Sequence, residues 1–289
     1  MNSVKEIKNK INIVKNTKKI TKAMEMVAVS KMRKIQEKML STRPYFENII
    51  KVINHVSLAN VEYKHPYLQD RKTKNIGIIV ISTDRGLCSN LNSILFKKIL
   101  INMQRYAEKN IKCKLVVFGS KGFQFFNKLQ CNIISYMNQI NNKINLSELL
   151  GNIHILLQEY KNNNIDKIFI AYNHFQNTMI QIPKLNILLP IINNNQNKNS
   201  IKWDYIYEPN AKMVLNTLLD RFIESQIYQS ILENLVSEQA ARMLSMKNAT
   251  DNSNNFIKEL QLNYNKARQS SITQELIEII SGSNKKNFN

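Results

Sequence analysis

What the 289-residue chain has little of organises it. It holds six glycines and five prolines, and residues 1–43 contain neither. Nor do residues 210–281, between Pro209 and Gly282. Because Gly and Pro are the strongest breakers of regular structure, both ends are permissive for long helices, and turns belong to the middle. The three cysteines, Cys88, Cys113 and Cys131, form no CxxC pair and no even disulfide framework, so they read as reduced thiols. No uninterrupted apolar run approaches the ~18 residues of a membrane-spanning helix. The first residues, with Lys5, Glu6, Lys8 and Lys10, lack the apolar stretch of a signal peptide. Acidic residues are also scarce, 21 Asp and Glu against 41 Lys and Arg, a formal net charge of +20. That excess points to a polyanionic partner and says nothing about fold.

What is present at the two ends is helical periodicity. Ile7, Ile11, Val14, Lys18, Thr21, Glu25, Ala28, Met32, Ile35 and Met39 follow 4-3 spacing, apolar at both ends and polar in the centre. A neighbouring line, Ile13, Ile20, Met24 and Val27, is expected to take over at that centre. Ser3 and Glu6 have capping-box spacing. Ile49, Ile50, Ile53 and Val56 extend the pattern past Pro44, giving an N-terminal helix over 1–60. The C-terminal helix, 210–281, carries Leu215 through Leu244 at helical spacing. It meets a polar interruption at 248–255 and resumes with Phe256, Leu260, Tyr264, Ala267, Ile272, Leu276 and Ile280. Seventy-two residues at 1.5 Å each would span about 108 Å, a length that argues for a coiled coil of the two ends, antiparallel if the middle folds compactly. Residues 282–289 form a tail.

The middle, 76–192, alternates strand and helix patterns. Strands are expected at 76–82, 114–118, 133–136 and 167–172, with an edge strand around Pro183 at 178–182 and 185–189. Helices are expected at 91–109, 120–128 and 145–160, the last capped by Asn145 or Ser147. This alternation implies a small, mostly parallel sheet. The fold expected is therefore α/β: a long antiparallel coiled coil of the terminal helices plus a small, mostly parallel α/β sheet domain.

Chemistry finds little purchase. Gly119-Ser120-Lys121-Gly122 follows a strand but lacks GxxxxGK[ST] spacing, and GxGxxG does not occur, so a tight strand-to-helix turn explains these glycines. In Ser82-Thr83-Asp84-Arg85-Gly86-Leu87-Cys88 the cysteine has no base in a supporting pattern. Asp84 is expected to cap the next helix and Gly86 to permit the turn. His55, His65, His154 and His174 give no HExxH and no cluster with cysteine, so no metal or cofactor is expected. Charge is uneven: residues 1–40 hold eleven basic and three acidic residues, while 210–281 hold seven and eight. The first helix has no aromatic before Tyr45, which argues against nucleic acid and for an acidic protein partner. Periodicity puts Met32 and Met39 in the core and leaves Met24 and Met26 open between core and contact surface.

Several runs resemble the ATP synthase γ subunit family. Residues 16–28 (NTKKITKAMEMVA) and Ser30-Lys31-Met32-Arg33 are similar to its first-helix signature. Ser82 to Cys88, Glu238-Gln239-Ala240-Ala241-Arg242-Met243, Ala249-Thr250-Asp251-Asn252, and the runs 257–260, 264–269 and 272–276 continue the match in order. The resemblance implies a non-catalytic rotor shaft inside a ring of α and β subunits. Its α/β middle would lie against the ε subunit and the membrane c-ring, with δ in the same complex. It would sit peripherally on the cytoplasmic side of a cell inner membrane, without spanning it, coupling proton-driven rotation to ATP synthesis at β. It also implies partner contacts at Met24, facing β, and at Arg242, Gln269, Thr273 and Glu275. The family's β subunits present an acidic loop near the shaft, which suits the basic first helix. Two loops depart from the family: Ser89-Asn90 replaces a pair of glycines, and Ser253-Asn254-Asn255 a stretch of small residues.

Overall fold

The computed structural model describes residues 4–59, 65–138, 146–191, 208 and 210–286. In chain order the elements are α1 (Val4–Ala59), β1 (Asn75–Ile81), α2 (Leu91–Ala107), β2 (Lys112–Phe118), α3 (Ser120–Lys128), β3 (Ile133–Met137), α4 (Leu146–Lys161), β4 (Lys167–Phe175), β5 (Gln181–Leu189) and α5 (Ala211–Lys286). The expected class is present: two long terminal helices enclose, in sequence, a five-stranded sheet ordered β3-β2-β1-β4-β5. The first four strands are mutually parallel and β5 is antiparallel. The chain divides into two compact units, Met1–Ala28 with Met243–Asn289 and Val29–Arg242.

In the larger unit, alternation along the strands sends side chains to two cores. Ile76, Ile78 and Val80 of β1 pack with Leu95, Phe96 and Ile99 of α2 and Phe126 of α3. Ile79 and Ile81 face the other way, against Leu156 and Tyr160 of α4, Ile49 and Ile53 of α1, and Leu215 to Leu235 of α5. A sheet buried on both faces explains why β1 reads as a continuous apolar run. Each such Ile or Leu, removed from water, contributes about 1.5–3 kcal/mol. The two expected pieces of edge strand are one strand, β5, with Pro183 inside it opposite Asn173. Residues 176–180 form the turn before it, pinned by Asn177 Oδ1, which accepts from the backbone N–H of Met179 and Ile180. An edge position accommodates the proline's missing donor. Of the two proposed caps of α4, Asn145 lies outside the described residues and Ser147 falls within the helix.

Here α1 packs against α5: Thr42 Oγ1 donates to Gln229 Oε1 at 3.3 Å, and the Lys38 ammonium sits 5.6 Å above the Tyr228 ring. Pro44 is absorbed, since α1 continues through it.

The smaller unit is an antiparallel helix pair. Ile7 and Ile11 pack with Leu260, flanked by Val14, Tyr264 and Ala267. The seam follows the 4-3 line without departure, because Lys18, Thr21 and Glu25 stay partly covered. The neighbouring line does not take over: Ile13, Ile20 and Val27 are 64%, 61% and 55% exposed. The polar centre holds because its hydroxyls find partners. Thr21 Oγ1 and Thr250 Oγ1 share a hydrogen bond of 2.8 Å across the pair. The hydroxyl that accepts in this bond keeps its own proton for its helix, at Lys18 O from Thr21 or at Met246 O from Thr250. The polar run 248–255 therefore does not interrupt α5, and Ser253 likewise bonds Ala249 O. The seam through it uses Ile257 rather than Phe256, which is exposed. At the far end α5 runs on to Lys286, through Gly282, where a tail was expected.

Candidate partner-binding surfaces

The loops at the carboxyl ends of the strands are where an open α/β sheet would hold a ligand. The Gly119–Gly122 turn there is closed. Gly119 has φ +99°, and a Cβ on it would lie 2.7 Å from both the carbonyl carbon and the Oγ of Ser82. Gly122 is held as closely, its N–H donating to Ser82 Oγ at 2.9 Å. The amino terminus of α3 already has its anion: Asp84 Oδ1 accepts from Ser120 N at 3.1 Å and Ser120 Oγ at 3.2 Å. Asp84 thus caps α3 and not the following helix α2, because β2 delivers the α3 terminus beside the end of β1. A phosphate would have to displace a carboxylate from a filled turn.

In the loop 82–90 the strained positions are Leu87 (φ 65°) and Ser89 (φ 54°), while Gly86 has no positive φ and open space where its Cβ would be. Gly86 therefore does not supply the turn as expected. Of the pair that replaces the family's glycines, Ser89 takes the left-handed backbone and Asn90 does not (φ −91°). Cys88 is buried, and burial first, then the nearby Glu238 charge, pushes its thiol pKa up, away from a reactive thiolate. The histidines serve elsewhere. His65 Nδ1 accepts from Tyr67 N at 3.1 Å, His174 pairs with Glu233, His154 is exposed, and the side chain of His55 lies outside those described.

Part of this sheet edge is covered by α5. Asn234 Oδ1 accepts from Asn173 N (3.2 Å) and Nδ2 (3.0 Å), and Ser237 Oγ donates to Asn173 O at 3.0 Å. One turn on, Arg242 Nη2 binds Glu238 Oε1 at 2.7 Å and Gly86 O at 3.2 Å. Ala241 packs with Cys88 and Leu91. Sequence reasoning missed Asn173, Glu233, Asn234 and Ser237. The signal for Asn234 and Ser237 was a line of small residues, Ser230-Asn234-Ser237-Ala241, beside the apolar stripe of α5.

The surfaces left open suit macromolecular partners. Between α2 and α3 a concavity of about 460 Å³ has apolar walls from Leu87, Phe96, Leu100 and Phe125 and is ringed by Lys97, Lys121 and Lys128. In the smaller unit, α1 exposes Lys5, Lys8, Lys10, Lys15, Lys19 and Lys22 around the outward line Ile13, Ile20 and Val27. Beyond Ala267, every described position of α5 up to Ser281 is exposed, with Ile272, Leu276, Ile277, Ile279 and Ile280 among them.

Of the five implied contact residues, Gln269, Thr273 and Glu275 lie on that exposed stretch. Thr273 Oγ1 donates to Gln269 O at 2.9 Å, placing these two on one face. Met24 is half-buried, whereas Met26 is exposed. Arg242 stands apart, 9% exposed with its guanidinium bound inside the chain. No helix among the described residues is long and apolar enough to cross a membrane.

A plugged sheet edge, a helix pair and exposed apolar and basic faces define a protein that docks onto other proteins. Its family model is that described as ATP synthase, matched over residues 3–284. The chain is 58% identical over 283 residues to the ATP synthase gamma chain of Buchnera aphidicola from Acyrthosiphon pisum (strain Tuc7), covering 98% of each. It is 57% identical over 284 residues to the one from Schizaphis graminum, again covering 98% of each. The chain belongs to the ATP synthase γ chain family. Its fold is shared by the Euglena gracilis mitochondrial ATP synthase in an OSCP/F1/c-ring structure, with TM-score 0.65, 19% identity and coverage of 97% of this chain and 93% of that one. The central stalk/c-ring structure from Tetrahymena thermophila gives 0.58, 23% identity and 80% and 99% coverage.

Proposed function

We propose that this chain is the central rotor shaft of a proton-driven F-type ATP synthase. Residues 1–60 and 210–281 form the shaft and 76–192 the base. The shaft turns within a ring of α and β subunits, and nucleotide chemistry belongs to β. The base meets ε and the c-ring, with δ in the same complex, at the periphery of the inner membrane on its cytoplasmic side. The observation that carries this reading is the stretch of α5 beyond Ala267. A single amphipathic helix with five exposed Ile and Leu side chains is marginal in water, so it requires an enclosing partner. Basic α1 supports an acidic neighbour, since long-range attraction of exposed lysines survives rotation better than interlocked contacts would. Met24, Gln269, Thr273 and Glu275 are read as contacts to the ring. Arg242, held by its own chain, acts through the loop it grips.

Reconstitution with α and β tests this. A bead on the sheet unit should rotate in steps under ATP, and the isolated chain should show no ATPase activity. ATP hydrolysis by the chain alone, or a complex that turns over ATP without rotation, would refute the reading.

A further inference from the structure

Turning force has to pass between the sheet and α5, and most of their contact is apolar: Leu215, Leu219, Phe222, Ile223, Ile227 and Ile231. Apolar contact is non-directional. It resists separation well, but a helix can roll or slide on it by exchanging one side chain for another of similar size. Directional bonds to buried partners resist in a different way, because a roll strands each polar group away from water. One place on the α5–β4 crossing has this character. Asn173 of β4 is 1% exposed, and Asn234 and Ser237 of α5 are fully buried.

The bonds there grip the backbone of the sheet itself. Asn173 lies opposite Pro183, which has no N–H to offer, and β1 pairs with β4 only as far as Ala171. Side chains of α5 complete the hydrogen bonding of that residue: Asn234 Oδ1 takes its N–H and Ser237 Oγ donates to its carbonyl. Next to them His174 Nδ1 and Glu233 Oε2 are 2.5 Å apart. Consecutive residues of one strand, 173 and 174, are thus held by three residues on one face of one helix.

We propose that Asn234 and Ser237 of α5, with Asn173 of β4 and the flanking Glu233–His174 pair, form the torsional key that transmits rotation between the sheet and α5. The proposal rests on the rotor reading. It assigns these residues a positioning role, with no contact to nucleotide or partner. A helix turn advances 100° per residue, so a slip of even one position carries Asn234 off Asn173 entirely.

The test uses the assembled complex carrying Asn234→Leu, Ser237→Ala or the pair Asn173→Cys with Asn234→Cys. Torsional stiffness is read from thermal fluctuation of a bead on the sheet unit, and proton pumping per ATP from membrane vesicles. Asn234→Leu is expected to lower stiffness at least twofold and pumping per ATP at least threefold, with ATP hydrolysis within twofold of the parent. Ser237→Ala should act in the same direction and less strongly, and it gives the readout if Asn234→Leu fails to assemble. In the cysteine pair, a disulfide should restore stiffness without restoring the hydrogen bonds, and reduction should abolish it. Unchanged stiffness, or hydrolysis and pumping falling in parallel, would overturn the key. Failure of the parent complex to rotate would instead overturn the rotor reading beneath it.

Discussion

Replacing Gly119 by alanine separates a structural turn from a ligand cradle. The residue's φ of +99° is open essentially to glycine alone, which sets a backbone strain of about 1–3 kcal/mol on any other residue. The added Cβ would also press on the carbonyl carbon and Oγ of Ser82, both at 2.7 Å, and the first is backbone that cannot swing aside. Overpacking of this kind adds about 1–3 kcal/mol. Together Gly119→Ala should destabilise the sheet unit by about 2–6 kcal/mol. With a urea dependence of about 2 kcal/mol/M, the midpoint followed by far-ultraviolet circular dichroism should fall by roughly 2 M. Hydrogen exchange in the peptides of β1 and β2 should accelerate in step. The internal control is Gly86→Ala. It meets nothing within 4 Å and carries no positive φ, so it should stay within about 0.5 kcal/mol of the parent. A loss below ~1 kcal/mol at position 119, or equal losses at 119 and 86, would refute the account of this turn.

The Arg242 bridge should show the penalty of a stranded charge. Arg242→Ala leaves Glu238, which has no exposed surface, without its cation and should destabilise by about 3–5 kcal/mol in urea titrations, more than Arg242→Lys. In the helix pair, Thr250→Val should lower stability by about 1 kcal/mol, and the double change with Thr21→Val should be less than additive, because removing both partners leaves no orphan; a double-mutant cycle in thermal melts measures this. His65 gives a pH dependence. Burial, then the Lys161 charge, lower its pKa below the ordinary 6.5, against a raising effect of Asp220. The unfolded chain therefore binds the proton first, so stability is full above pH 6.5 and falls as pH drops from there towards the lowered folded value. Protonation at Nδ1 also removes the acceptor for Tyr67 N, and His65→Gln should flatten the profile between pH 5 and 7.

The fold was legible where one physical signal dominated. Absence of breakers and a 4-3 line located α1 and α5, and β-rich runs bounded by turns located the sheet. Where two signals competed, the local one misled. Residue by residue, Ile13, Ile20 and Val27 make a more apolar seam than Lys18, Thr21 and Glu25. The hydroxyl pair Thr21–Thr250, 229 positions apart, is invisible to any local window. The polar run 248–255 suggested a break for the same reason, although its hydroxyls bond their own helix. The helix nearest to Asp84 in sequence is α2, whereas the helix it caps begins 36 residues later. The partner-facing residues split along the same line. Exposure of Gln269, Thr273 and Glu275 follows from local pattern, but the grip of Arg242 on residues 85 and 86 depends on a meeting of loop and helix that no spacing announces.

The misses within the sheet unit share a location. Glu238, Arg242, Asp84, Asn173 and Asn234 all gather at the carboxyl edge of the sheet, where open α/β folds ordinarily leave a crevice. Parallel strands end there with unpaired backbone groups, and those groups need partners. A nucleotide-binding relative of this architecture would leave them for phosphate or water. Here a terminal helix supplies them, with Asn234, Ser237 and Arg242 bonding to Asn173, Arg85 and Gly86. Occupying the crevice with part of the chain removes the site where chemistry would occur and joins the sheet to α5 by directional bonds. The same substitution of helix for ligand thus accounts for the bonded groups at that edge and, on the proposed rotor role, gives the sheet directional bonds that can carry load.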